Sequence, residues 1–290
     1  MLILFSACFI FLVSFVSIVW KLTIKSQTPR KYPVDNAPDF PYENVSFKSG
    51  KDQVNGWFIP AKSSEQKSPL IILVHGWGSN RAKMKRYVKP LYEAGYALLL
   101  FDVRSHGESD SVKAPTVKIF RDDVIAAIHY AKSRNEIDPH RIGILAHSFG
   151  GFGSVIAIKE DIGIKAVVAD SIPVQFSTVI KAALKFYKLP YYPLGPMIFK
   201  MMLIRAGITR KEVKEFDVPQ ALKNTKSAVL LIHSIKDDFV PSSELDYILR
   251  RVDVPHIYVE SQGHRSTETD PQYWKHVLPF FKKNLMVQQD

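Results

Sequence analysis

The amino-acid sequence predicts an α/β fold, in which a mostly parallel β-sheet carries helices on both faces. From about residue 43 onwards, segments with the pattern of strands alternate with segments that have the pattern of helices. The inner strand segments, such as IILVH, ALLLF and VLLIH, are apolar throughout. Strands buried on both faces of a parallel sheet need such runs, whereas half-exposed strands alternate apolar and polar residues.

We predict eight strands, of which the first two form an antiparallel edge, with helical patterns between the later ones. The predicted strands are Val45–Ser49, Val54–Pro60, Leu70–His75, Ala97–Asp102, Ile142–His147, Ala166–Asp170, Ala228–His233 and His256–Glu260.

The composition fits one large domain and a short extra segment. The chain has 290 residues, of which 46% are hydrophobic, and this is enough to fill one core. The single cysteine, Cys8, allows neither an intramolecular disulfide nor a cysteine-based metal site. The formal net charge of +11 would attract anionic headgroups, acidic substrates or nucleic acid, although ordinary solubility also accounts for it. Lysines and arginines are spread along the chain instead of forming a stripe with stacking aromatics, so we expect no nucleic-acid partner.

Residues 1–20 form an uncharged apolar run whose length matches the hydrocarbon core of a bilayer. The run lacks the basic start and the small-residue cleavage site of a signal peptide, so we predict an uncleaved transmembrane anchor. Four cations follow it, at Lys21, Lys25, Arg30 and Lys31. The positive-inside rule then favours a folded domain on the cytoplasmic side of the membrane.

Three prolines interrupt the polar segment that follows the apolar run. They are Pro33, Pro38 and Pro41, and a helix cannot continue through them. We therefore predict a tether at residues 21–42 and a single folded domain at residues 43–290.

The segment AHSFGG, Ala146–Gly151, follows a predicted strand and precedes a predicted helix. A sharp turn between strand and helix forces its middle residue, Ser148, into a strained conformation and needs small neighbours such as Gly150 and Gly151. An ordinary serine at the start of a helix would give a similar local sequence.

A serine is a poor nucleophile unless a base and an orienting carboxylate lie close to it. His264 is the candidate base, because it lies in the loop SQGHRST just after the last strand. Three carboxylates also follow predicted strands in the second half of the chain, namely Asp170, Asp237 and Asp238.

Four segments resemble motifs of the α/β-hydrolase family. AHSFGG resembles the nucleophile elbow G-x-S-x-G, with Ala146 in place of the first glycine. HSIKDDFVP resembles the segment H-G-x-x-D-x-x-V-P, and the match selects Asp237 as the acid instead of Asp238 or Asp170. The order Ser148, Asp237, His264 is the order of the family's catalytic triad.

The other two segments lie near the predicted nucleophile. HGWGSN resembles the family's H-G-x loop, which implies that the backbone amides of Trp77 and Phe149 form the oxyanion hole. A tight glycine turn alone is the simpler interpretation of this loop. FDVRSHGESD resembles the turn D-x-R-G-H-G-x-S, with Ser105 where glycine is usual, and we expect a structural loop there.

The resemblance implies an α/β-hydrolase fold with an eight-stranded, mostly parallel sheet. It also implies a reaction through an acyl-Ser148 intermediate, and this reaction needs no metal or organic cofactor. It is closest to microbial esterase-like or peptidase-like members. Members with epoxide-hydrolase or dehalogenase chemistry carry aspartate at the elbow, so Ser148 favours esters, thioesters or amides.

The segment at about residues 172–217 resembles the family's lid insertion in its position. Ordinary packing of the lid on the core is the simpler interpretation, but its apolar side chains suggest a pocket for an acyl chain. These side chains are Phe186, Tyr187, Tyr191, Tyr192, Phe199, Met201, Met202 and Leu203. We therefore expect an acyl-ester substrate, with a membrane-anchored peptidase or an inactive binding protein as alternatives.

Overall fold

One mixed sheet of eight strands lies at the centre of the computed structural model, which describes residues 2–62 and 67–286. The strand order is β1-β2-β4-β3-β5-β6-β7-β8. Neighbours from β4 to β8 are parallel, whereas β2 pairs antiparallel with both β1 and β4. The predicted fold class and the antiparallel edge are thus confirmed. The strands are β1 Glu43–Ser49, β2 Asp52–Ile59, β3 Ser68–Val74, β4 Ala97–Phe101, β5 Ile137–His147, β6 Ala166–Asp170, β7 Ala228–Lys236 and β8 His256–Gln262.

Helices cover both faces of the sheet. They are α1 Leu2–Ser26, α2 Val88–Glu93, α3 Val117–Ser133, α4 Phe149–Ala157, α5 Phe176–Phe186, α6 Leu194–Ala206, α7 Arg210–Glu215, α8 Val218–Asn224, α9 Ser243–Leu249 and α10 Pro271–Leu285. A 3₁₀ helix, Arg81–Tyr87, precedes α2 directly. Two shorter 3₁₀ turns are Ile158–Glu160 and Thr267–Thr269.

Strand β3 illustrates why the inner strands are apolar without alternation. Its Ile72 and Val74 pack in a core with helices α3, α4 and α8, whereas Ile71 and Leu73 pack in a second core with α2 and α10. All four side chains are fully buried. Both faces therefore exclude water, and both contribute hydrophobic free energy to folding.

Helix α1 is long and apolar enough to cross a membrane. Its segment Phe5–Ser26 has 22 residues and a mean hydropathy of 2.2, and only 11% of the segment is buried. A signal sequence has the same length and composition. The helix continues through Ser26 rather than ending at residue 20, because KLTIKS contains no proline or glycine that would stop it.

The last turns of α1 pack on the segment that we predicted to be a lid. Val19 is fully buried in a small apolar cluster with Leu184 of α5 and Ile198 of α6. Gln27, just past the helix, is 1% exposed and donates its amide to Met202 O at 3.3 Å. The predicted tether is therefore docked on the domain and helical at its start.

The rest of the predicted tether also binds the domain. Asn80 donates its side-chain amide to the carbonyl groups of Tyr32 and Pro33, at 3.1 and 2.9 Å. Lys85 donates to the carbonyl of Ala37 at 2.7 Å. Residues 27–42 thus run along the 3₁₀ helix instead of behaving as a free linker.

Candidate active site

The carboxyl ends of the parallel strands carry the predicted triad, its rival carboxylates and the predicted oxyanion loop. Ser148 follows β5, Asp170 ends β6, Asp237 follows β7 and His264 follows β8. The glycine loop containing Trp77 follows β3. Parallel strands present their carboxyl ends at one edge of the sheet, so residues far apart in the sequence meet there.

The turn at Ser148 has the strained backbone that its sequence predicts. Ser148 adopts φ 55° and ψ −125°, which is a costly conformation for a residue other than glycine. A Cβ on Gly150 would lie 2.5 Å from the Val74 carbonyl oxygen, and one on Gly151 would lie 2.4 Å from the Ile172 side chain. The glycines therefore allow α4 to begin directly against β3 and β6.

The side chain of Ser148 does not cap α4, so the interpretation of this residue as an ordinary helix-capping serine is wrong. Its hydroxyl lies 3.0 Å from Nε2 of His264, and Nδ1 of the same ring lies 2.7 Å from Oδ2 of Asp237. Because a carboxylate only accepts hydrogen bonds, Nδ1 carries the proton and Nε2 is free to accept from the serine hydroxyl. The three predicted side chains thus form one hydrogen-bonded row.

Asp237 is held by its own loop as well as by His264. Its Oδ1 accepts the backbone N–H groups of Phe239 and Val240, at 2.9 and 2.8 Å. Burial tends to raise the pKa of this carboxyl, but the hydrogen bond from His264 and the two N–H groups outweigh it, so the pKa lies below its ordinary value. The group is therefore ionised at neutral pH. Its neighbour Asp238 is exposed in the wall of the adjoining cavity.

Asp170, the third candidate, belongs to a different network. It is fully buried and accepts from Tyr87 at 3.1 Å, from His147 at 3.2 Å and also from Thr267. Burial opposes its ionisation, but the interactions with His147 and Thr267 and the charge of Arg86 lower the pKa of Asp170 to about 2. Because His147 and Asp170 both end neighbouring strands, their pairing could have been expected from the sequence, whereas the contacts of Asp170 with Tyr87 and Thr267 could not.

His147 packs against His264, with ring centroids 4.8 Å apart. Burial lowers the pKa of His147 to about 4, so the ring is neutral at neutral pH. Its Nε2 has no hydrogen-bond partner among the residues that the structure describes, and the residue lines the cavity beside Ser148.

The glycine loop after β3 lies directly against the serine. A Cβ on Gly76 would lie 2.9 Å from Cβ of Ser148, so only glycine permits this approach. The ring of His75 fixes the loop: its Nε2 accepts the Val103 N–H at 3.0 Å, which leaves Nδ1 to donate to the Gly76 carbonyl at 2.7 Å. Within the described residues, the backbone N–H groups of Trp77 and Phe149 donate to no protein acceptor.

The loop after β4 is structural, as its motif predicts. Asp102 is fully buried and accepts from Arg81 and from the backbone N–H of Glu108. A Cβ on Gly107 would overlap the Asp102 carboxylate at 2.1 Å. Ser105, which replaces the family's glycine, has φ 67° and accepts the N–H of Val112 at 2.9 Å. This hydrogen bond helps to stabilise a conformation that serine rarely adopts.

A cavity of about 890 Å³ adjoins Ser148 and His264. The predicted lid lines much of it with apolar side chains, and four of the eight predicted acyl-pocket residues are among them: Tyr187, Phe199, Met202 and Leu203. Phe186 and Tyr192 are instead 79% and 74% exposed, while Tyr191 and Met201 pack with the cluster around Val19. One wall of the cavity was not expected from the sequence. It is formed by the end of α1 and the residues that follow it, namely Leu22, Lys25, Ser26, Thr28 and Arg30.

Glu244 of α9 anchors the start of the predicted lid. This side chain is 1% exposed and accepts the backbone N–H groups of Val174 and Gln175, at 2.6 and 2.7 Å, together with the hydroxyl of Thr178 at 2.5 Å. A buried carboxylate thus fixes the first turn of α5, which carries part of the cavity wall.

Nothing in the described ranges resembles a metal centre, since no group of three or more His, Cys, Asp or Glu side chains there could hold an ion.

A family model described as the α/β-hydrolase fold matches residues 69–190. The uncharacterized protein YfhR of Escherichia coli (strain K12) is 30% identical over 158 residues, which cover 51% of this chain and 54% of that protein. The quorum-quenching protein AidA of Acinetobacter baumannii is 32% identical over 139 residues, or 47% of this chain and 45% of that protein. The chain thus spans about half the length of these relatives.

Solved structures show the same fold. An esterase of Pyrococcus furiosus superposes with a TM-score of 0.71 at 23% identity, covering 90% of this chain and 97% of the esterase. The acylaminoacyl peptidase of Pyrococcus horikoshii gives a TM-score of 0.66 at 20% identity, covering 87% of this chain and 43% of the peptidase. At these identities the likeness is one of fold.

Proposed function

Because this chain belongs to the α/β-hydrolase superfamily, we propose that it is a serine hydrolase that cleaves carboxylic esters through an acyl-Ser148 intermediate. One observation carries the proposal: the hydrogen-bonded row from the Ser148 hydroxyl through His264 to the Asp237 carboxylate. The backbone of Ser148 is strained, and such strain is typical of active sites, whereas a polar network that only stabilises the fold does not require it.

Each residue has a defined role in this mechanism. The Ser148 hydroxyl attacks the ester carbonyl while His264 Nε2 takes its proton, and the ionised Asp237 stabilises the imidazolium that forms. His264 then returns the proton to the departing alcohol. A water molecule, activated by the same nitrogen, hydrolyses the acyl-serine and restores the free enzyme.

The developing oxyanion would be bound by the backbone N–H groups of Trp77 and Phe149. They suit this role because they donate to no described protein acceptor and flank the serine on two sides. Phe149 also begins α4, and the start of a helix stabilises negative charge. One such donor is typically worth about 3 kcal/mol of transition-state stabilisation.

The cavity supports an acyl ester with an apolar chain. Its lid wall is formed by buried and half-buried apolar side chains of α5 and α6, including Leu184, Ile198 and Phe199. A long acyl chain would bury its surface there, at about 25 cal/mol per Å². Hydrolysis of matched short and long acyl esters tests this, and equal kcat/KM values would contradict it.

We further propose that α1 anchors the enzyme in a membrane, with the catalytic domain on the cytoplasmic side. The exposed apolar surface of α1 supports the anchor, since Ile3, Phe9 and Phe11 are each more than 60% exposed and this surface would otherwise contact water. The cations Lys21 and Lys31 after the helix support the orientation.

A fluorophosphonate probe tests the enzyme proposal directly, because it labels only an activated serine. We expect labelling of the full chain and its loss in Ser148→Ala. The matched control is Ser26→Ala, since Ser26 also lines the cavity but donates only to its own helix. No labelling of the folded wild type would identify a silent binding protein. Turnover of peptides in place of esters would identify the peptidase alternative.

A further inference from the structure

The lining of the cavity beside Ser148 includes a group of cationic side chains, the basic wall. Among the residues that the structure describes, five cationic side chains line this cavity and only one carboxylate, that of Asp238. The cations are Lys25, Arg30, Lys83, Arg86 and Arg265. The cavity lining therefore carries a net positive charge, which would attract an anionic substrate.

The cations come from separate segments that meet around the serine. Arg30 follows α1, and its backbone nitrogen approaches Gly78 of the glycine loop. Lys83 and Arg86 lie on the 3₁₀ helix that follows the same loop. Arg265 is the residue next to His264. These positions line the same cavity as Ser148, and α5 and α6 supply the apolar wall of that cavity.

Most of these charges have no counter-ion. Arg86 pairs with Glu268 at 3.4 Å. Within the described residues, Lys25, Arg30, Lys83 and Arg265 form no ion pair. Lys25 and Arg30 instead lie over the rings of Tyr187 and Tyr32, at 4.2 and 4.8 Å, which attract a cation but leave its charge in place.

We propose that the substrate is an acyl ester whose alcohol part carries a phosphate group, bound by Arg30, Lys83 and Arg265. The proposal rests on the proposed function, because it places the ester carbonyl at Ser148. The acyl chain then lies along the lid, and the leaving group lies on the basic side. Guanidinium groups match phosphate geometry, and a lysine adds a point charge to the same anion.

A bilayer surface explains these cations less well than a bound phosphate does. Headgroups would meet the outer lysines of the lid, such as Lys181, Lys185 and Lys200, which are exposed and do not line the cavity. Arg30, Lys83 and Arg265 are exposed as well, but they line the cavity that contains Ser148, so an anion that they bind lies in the same cavity as the nucleophile.

The kinetic test compares monolauroylglycerol phosphate with monolauroylglycerol in neutral detergent micelles, so that no anionic bilayer is present. We expect the full chain to prefer the phosphate ester in kcat/KM. In Arg30→Gln, Lys83→Gln and Arg265→Gln this preference should fall by about threefold to tenfold each. Lys223→Gln is the matched control, because Lys223 is an exposed cation of α8 outside the cavity. An unchanged preference in all three variants would overturn the proposal.

A binding test separates this proposal from the proposed function. The full chain with Ser148→Ala is titrated with dodecyl phosphate, dodecanol and inorganic phosphate by calorimetry. We expect dodecyl phosphate to bind more tightly than the other two, and the difference from dodecanol to shrink in the three variants. If dodecyl phosphate binds no better than dodecanol while the wild type is labelled at Ser148, only the phosphate proposal fails. If dodecyl phosphate is preferred but no ester is cleaved, the proposed function fails and takes the ester substrate with it, while the phosphate site at the three cations stands.

Discussion

Replacing Asp237 with asparagine tests the catalytic proposal at its most specific point. Oδ1 of Asp237 accepts the N–H groups of Phe239 and Val240, and an asparagine oxygen would keep both bonds. The amide NH₂ must then face Nδ1 of His264, which lies 2.7 Å from Oδ2 in the wild type. Nδ1 can only accept from this donor, so the ring proton moves to Nε2 and points at Ser148. The ring can no longer take the serine proton.

We expect kcat of Asp237→Asn to fall about ten-thousandfold, which is the loss that the wrong histidine tautomer causes in other triads. This loss corresponds to about 5 kcal/mol of transition-state stabilisation. The assay is the hydrolysis of a short-chain nitrophenyl ester at neutral pH, with circular dichroism and thermal melting to check the fold. Since the loop bonds survive, the melting temperature should change little.

Two matched variants decide how the result is interpreted. Asp238→Asn changes the adjacent carboxylate, which is exposed, and should leave kcat within about twofold. Asp170→Asn disturbs the network with Tyr87 and His147 and should lower stability more than kcat. The reasoning is refuted if Asp237→Asn keeps a tenth or more of the activity, or if Asp170→Asn is the variant that abolishes turnover in a folded protein.

Three further predictions concern the scaffold. Burial lowers the pKa values of His75 and His147 to about 4 and that of His106 to about 3, so the unfolded chain binds protons that the folded chain does not. The free energy of unfolding should therefore be highest above about pH 6.5 and fall by several kcal/mol towards pH 4, as urea denaturation at pH 7.5 and pH 5 would measure; equal midpoints would contradict this. Glu244→Ala removes the acceptor at the start of α5 and should cost about 2 to 4 kcal/mol in the same measurement, and Glu244→Gln less. Val19→Asp places a carboxylate between α1 and the lid and should lower kcat/KM for long-chain esters more than for short ones; an equal effect on both would show that α1 does not shape the acyl wall.

The sequence predicted the sheet because strands give local signals, whereas the resemblance to α/β-hydrolase motifs selected the three side chains that form the hydrogen-bonded row. A run such as IILVH is stable only inside a sheet that is covered on both faces, so the strands and their parallel pairing follow from composition. Ser148, Asp237 and His264 each follow a strand directly. Parallel strands bring these positions to one edge, whatever the lengths of the connections between them.

The cavity wall could not be predicted in the same way, because it depends on how α1 packs. Apolar residues occur on every side of α1 in its first twenty residues, so its pattern does not single out a buried face. A weak signal does exist: Val19, Thr23 and Gln27 recur at intervals of four residues, and all three are buried against the domain. In an anchor that does not pack on the domain, a glutamine at that spacing would have no hydrogen-bond partner in the lid. Here it bonds the lid, and it also accepts from Arg205 at 3.1 Å.

The packing of α1 also determines where the cavity lies relative to a membrane. Counted from Leu2 to Trp20, the helix is about 28 Å long at 1.5 Å per residue, close to the thickness of a bilayer core of about 30 Å. The next turn carries Leu22 and Lys25, which already line the cavity. With α1 as an anchor, the cavity therefore lies next to the membrane surface. A substrate with an acyl chain and a phosphate would reach Ser148 from the membrane surface with its two ends already oriented towards the apolar and basic walls.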